Sequence, residues 1–134
     1  MIWPGKHFLK IKHKTMKLED LVGKELYEVL IEIRDNSDIY EEIVLLKKDL
    51  PGWNKALSEK LGPPLISTEE YDILNASEDV LASKIDLALE SANRFGGIDE
   101  GQTLYHGVYD STVVLIMIWP WQDNVKVTLK KAIV

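Results

Sequence analysis

The chain has 134 residues, 46% of them hydrophobic, no cysteine and a formal net charge of −6. That length suits one domain, 1–134, with enough apolar residues for a core, and the missing thiols exclude disulfides, cysteine-ligated zinc and thiol catalysis. The acidic balance disfavours nucleic acid as a partner, because phosphate contacts need clustered cations.

Residues 1–17 depart from that balance. They hold Lys6, Lys10, Lys12, Lys14 and Lys17 and no acid. Such a basic N-terminal arm could reach a polyanion, or it could pair with the acidic body of its own chain. His7 to His13 also alternates loosely, with Leu9 and Ile11 set against Lys10 and Lys12, as in an edge strand whose lysines discourage further pairing. Met1-Ile2-Trp3-Pro4-Gly5-Lys6 lacks the apolar stretch of a signal peptide, so a cytoplasmic location is expected. Met16 is an alternative start, which leaves open whether 1–15 belong to the native chain.

Leu18, Val22, Leu26, Val29 and Ile33 recur at helical spacing and predict an amphipathic helix over 18–34. Tyr27, Val29, Ile31 and Ile33 also alternate, so a strand over 26–33 competes. Asp38 with Glu41 has the form of a capping box. Ile39, Ile43, Leu46 and Leu50 then mark one face of a second helix, ended by Pro51-Gly52. A short helix is expected over Trp53–Leu61, with Gly62 after its last turn. Ser67 with Glu70 predicts a brief helix. Asn75 with Glu78 caps a longer one, whose inner face carries Leu81, Ile85, Ala88, Ala92 and Phe95 and which Gly96-Gly97 closes.

The last third changes period. Strands are expected over 103–109 and 112–119, joined by a tight turn at Asp110-Ser111. After a turn at Gln122-Asp123-Asn124 a third strand alternates Val125, Val127 and Leu129 with Lys126, Thr128 and Lys130. Helices first and strands after define an α+β fold: an N-terminal helical region packed on a C-terminal three-stranded antiparallel meander, with the N-terminal edge strand as a candidate extension. Val113 to Trp119 is apolar on both faces. It is too short for a bilayer, which takes roughly 20 residues. One of its faces needs a cover, either further helices or a second subunit.

Few chemistries survive the spacing. His106 and Asp110 lie about 13 Å apart on an extended strand, beyond hydrogen-bond reach. His106 would need an acid from elsewhere, such as Glu100 or Asp123. His7 and His13 are about 20 Å apart if extended and cannot share a metal ion. Gly96–Thr103 mimics a phosphate-binding loop but has Gln102 where lysine is required. No metal site and no cofactor is expected. Tyr105 and Tyr109 flank Gly107 on the face opposite His106, a notch for a ligand or for a crossing group. Trp119 and Trp121, either side of Pro120, would share a face as a stacking platform, a core cap or an interface.

These residues predict a non-enzymatic protein-interaction or self-associating domain, a homodimer included, with its binding face near Trp119 and Trp121. One alternative is an enzyme or small-ligand binder, with a site around Tyr105, His106 and Tyr109 in which His106 is the candidate catalytic group. Another is a polyanion binder using the lysine arm.

Overall fold

The computed structural model describes residues 16–66, 78–99 and 101–134; in the helix beginning at Glu78, side chains are described from Ile85 onward. The lysine arm before Met16, the strand expected over His7–His13, the helix expected from Ser67, the Asn75 cap and Glu100 lie outside these residues.

Two short helices open the fold, α1 (Leu18–Val22) and α2 (Lys24–Tyr27), followed by strands β1 (Glu32–Asn36) and β2 (Tyr40–Leu46). A 3-10 turn at Lys47–Asp49 leads into α3 (Leu50–Leu61), and α4 (Glu78–Asn93) precedes β3 (Thr103–Tyr109), β4 (Thr112–Pro120) and β5 (Lys126–Ile133). The strands form one antiparallel sheet in the order β1-β2-β5-β4-β3. The expected meander is its C-terminal half. The first hairpin joins on the far side of β5, so the protein is α+β with five described strands rather than three.

Opposed residues of an antiparallel pair share a face, so the registers define two faces. The first carries Ile43 and Leu45 of β2, Val127 and Leu129 of β5, and Val114, Ile116 and Ile118 of β4. It packs on Leu18 and Leu21 of α1 and on Trp53 and Leu57 of α3. The second face carries Leu104, Leu115, Met117 and Ala132, against Ala88 and Ala92 one turn apart on α4. Two alanines on the contact stripe let the helix backbone approach the sheet closely. Helix α4 therefore covers the second face of β4, and that strand needs no second subunit for its apolar side chains.

Two of the expected helices are corrected. The helix over 18–34 is interrupted at Gly23 (φ +92°) and ends at Tyr27, and the chain then extends into β1. The helix expected over 38–50 is the strand β2. Its Ile43, Val44 and Leu45 are buried on both faces, which removes the alternation that would have marked a strand. Ser37, whose hydroxyl accepts a hydrogen bond from the Tyr40 N–H (3.0 Å), forms the turn before it. Pro51-Gly52 opens α3 instead of closing a helix, since proline in a first turn forfeits no helical hydrogen bond. The other boundaries match closely. Gly62 (φ +84°) ends α3, and Asp110 and Ser111 (φ +51° and +61°) make the mirror-image turn that suits the twist of a hairpin.

One polar cluster lies inside the first core. Glu41 and Lys131, opposite each other on β2 and β5, are 1% and 0% exposed. The Lys131 ammonium is 3.0 Å from the Glu41 carboxylate and donates to the Met16 carbonyl, while Glu41 accepts the Leu18 N–H at 2.8 Å. The ion pair thus ties the start of α1 to the sheet by satisfying two of its main-chain groups.

Candidate functional site

The Trp119-Pro120-Trp121 segment ends β4 at the second face, where α4 gives out. Gly96, just beyond that helix, lies against Trp119; a Cβ there would come within 2.6 Å of the indole. The Lys130 ammonium sits 3.4 Å from the Trp119 ring centroid and donates to the Phe95 carbonyl at 3.0 Å. Burial lowers the Lys130 pKa, an effect the nearby Glu42 partly opposes. Trp121 donates from Nε1 to Thr128 Oγ1 (2.7 Å), and the Arg34 and Lys126 cations each stand 5.2 Å from its ring. The two indoles do share a face, as their odd spacing implies. Both π-surfaces are already engaged by cations of the same chain, so a stacking ligand would have to displace Arg34, Lys126 or Lys130.

The tyrosines are on the opposite side of the sheet. Tyr105 is buried in the first core, and its hydroxyl donates to Asn54 Oδ1 at 2.8 Å; burial raises its pKa. Tyr109 lies half-buried under the Lys60 ammonium. The notch at Gly107 is filled by the last turn of α3, because a Cβ there would meet the Leu61 carbonyl at 2.4 Å. A crossing main chain, not a ligand, accounts for that glycine.

His106 is half-buried on the second face, opposite Leu115, and burial lowers its pKa so that it is neutral near pH 7. Asp123 does not serve it. Its carboxylate accepts the Val125 and Lys126 N–H groups (2.9 and 3.1 Å) in the β4–β5 turn, and these bonds lower its pKa. The structure therefore separates the sequence candidates into three places: Tyr105 and Tyr109 beneath α3, His106 within the second face, and Trp119 with Trp121 at the end of β4. Among the described residues, no group of three or more His, Asp or Glu side chains is placed to hold a metal ion. No helix among them is long and apolar enough to cross a membrane. Lys17, the one described lysine of the basic arm, bonds Asn36 Oδ1 and the Ser37 carbonyl (3.0 and 2.8 Å) and lies 3.9 Å from Asp38, so it is anchored on the β1–β2 hairpin.

Sequence reasoning missed the edges of the sheet. At the β3 edge the Leu65 N–H donates to the Leu104 carbonyl, and the Leu104 N–H donates to the Ile66 carbonyl, both at 2.8 Å. That edge is partly closed by its own chain. At the β1 edge every residue from Glu32 to Asn36 is exposed. Val29, Ile31 and Ile33 are 45%, 46% and 49% exposed along the same stretch. Among the described residues no strand pairs with the outer side of β1, and a strand edge left so, with aliphatic side chains, is a template for another chain. The alternation of Ile31 and Ile33 was the available signal, but the helical stripe over 18–34 overlaid it.

Among the described residues, a five-stranded antiparallel sheet with helices on both faces and one unpaired edge is the class of protein these features define. Comparison with protein families, with curated proteins and with solved structures gives no match.

Proposed function

We propose that this chain is a non-enzymatic protein-interaction domain and that its interface is the outer edge of β1. The carrying observation is the contrast between the two ends of the sheet. The β3 edge is met by Leu65 and Ile66, whereas β1 exposes all five of its residues and has three large aliphatic side chains in or just before it. Main-chain donors and acceptors at such an edge give affinity, and the side chains beside them give selectivity.

The reading of an enzyme or small-ligand site around Tyr105, His106 and Tyr109 has less support. The Tyr105 hydroxyl is committed to Asn54, and the space beside Gly107 holds the Leu61 backbone. The indole face remains part of the same region, since Arg34 of β1 reaches over Trp121. Trp121 therefore forms part of the floor beneath the edge, with Trp119 beyond it under Lys130.

A photo-crosslinking benzoylphenylalanine at Ile33 tests the reading in cells. It is expected to form protein adducts of defined mass that the additional substitution Ile31→Lys abolishes. The same probe at Val108, also exposed but on β3, is the control. Adducts from Val108 with none from Ile33 would refute the assignment.

A further inference from the structure

We infer that the partner at this edge is a second copy of the chain, paired antiparallel through β1 about a twofold axis at Ile33. The inference rests on the interaction reading above and adds the occupant and the register. Glu32, Ile33 and Arg34 are consecutive and exposed. Glu32 and Arg34 lie on the same face, with their side chains 2.9 Å apart and Arg34 extending toward Trp121.

A twofold axis perpendicular to a sheet must pass midway between the two copies of one edge-strand residue, because opposed residues share a face. Three positions of the axis are available within this stretch. Centred on Glu32, it sets the two Glu32 carboxylates against each other. Centred on Arg34, it does the same with two guanidinium groups. Centred on Ile33, it sets Glu32 opposite Arg34 of the second copy, twice, with the two Ile33 side chains in contact between them. Charges on an edge strand ordinarily repel a like strand. Here one register turns that repulsion into two complementary pairs, and it also buries Ile33, the most exposed of Val29, Ile31 and Ile33. Opposite charges directly across an antiparallel pair favour pairing, and like charges oppose it. Register is therefore selected by charge and affinity by the isoleucine and the main chain.

The irregularity between Ile33 and Asp35 limits the pairing. Arg34 is the residue that the β1–β2 register skips, so the ladder between copies ends with it, and the twofold axis itself closes the assembly as a dimer with one continuous sheet. A short interface of this kind is expected to dissociate in the micromolar range, on the order of 10 µM.

Sedimentation velocity of the full chain over a concentration series tests this, with Glu32→Arg and Arg34→Glu made separately and then mixed. The wild type is expected to show a reversible monomer–dimer equilibrium. Each variant alone carries like charges across the axis and should weaken dimerisation by about tenfold or more. The equimolar mixture regains both complementary pairs and should form a heterodimer. Each single variant also loses its internal Glu32–Arg34 pair, so recovery on mixing identifies the contact as one between copies. A wild type that stays monomeric at about 0.5 mM, well above the expected constant, overturns the inference. So does a mixture that stays monomeric although both variants retain the wild-type circular dichroism. If the wild type is monomeric while Ile33 still crosslinks to a different protein, self-pairing fails and the interaction reading stands. If the crosslinks are absent too, both fail.

Discussion

Replacing Lys131 by methionine leaves the Glu41 carboxylate in the core with one donor. Glu41 is 1% exposed; in the native fold its carboxylate accepts the Leu18 N–H and is ion-paired with the Lys131 ammonium at 3.0 Å. Removing the ammonium strands one buried charge and also leaves the Met16 carbonyl without the Lys131 donor. Breaking one side of a buried ion pair costs about 3–5 kcal/mol. Glu41→Gln added to Lys131→Met removes the charge, while the amide oxygen can still accept from Leu18. What remains is an imperfectly bonded amide and the Met16 carbonyl, about 1–3 kcal/mol together. The double variant should therefore be more stable than Lys131→Met alone, with a coupling of roughly 2 kcal/mol in the double-mutant cycle. Urea unfolding with all four proteins measures this, provided the slopes agree so that midpoint shifts report stability. Protection of the Leu18 amide against hydrogen exchange should fall with Lys131→Met, because the ion pair holds α1 on the sheet. A Lys131→Met cost below about 1 kcal/mol, or a double variant as unstable as the sum of the singles, would refute the reasoning.

Other outcomes follow from single contacts. Gly107→Ala should destabilise by about 1–3 kcal/mol, since its Cβ meets the Leu61 backbone, which cannot rotate away. Gly101→Ala, in open space but at φ +84°, should cost about 1 kcal/mol from backbone strain alone, and chemical denaturation separates the two. Gly96→Ala combines both penalties, φ +107° and a clash with Trp119, and should shift tryptophan emission as well as stability. His106 has a folded pKa below the ordinary 6.5 because burial disfavours its charged form. Its contribution to stability is thus complete above pH 6.5 and is lost as pH falls through the folded value. Melting temperature should drop with acidification in that window, and His106→Gln should flatten the slope there; an unchanged slope would show that His106 does not titrate differently on folding.

Local chemistry settled the elements whose signals lie close together in the chain. Gly62 after α3 and Gly96-Gly97 after α4 mark helix ends because only a residue tolerant of positive φ continues past the last carbonyls. Asp110-Ser111 and the Asp123 turn set the C-terminal hairpins through short-range bonds, and Ala88 and Ala92 show their stripe by spacing alone. Tertiary structure decided the rest. Strand β2 reads as a helix until β1 and β5 flank it, because burial on both faces erases the period of two. Nothing local to Lys131 marks it for burial; the β2–β5 pairing brings Glu41, far away in sequence, opposite it. Sequence spacing placed Trp119 and Trp121 on one face but gave no sign that Arg34, Lys126 and Lys130 would occupy their rings. Among the described residues, the β3 edge is met only because Leu65 and Ile66 return to it. That is a question of long-range pairing, where each partner's position is set by the whole sheet and by no local pattern.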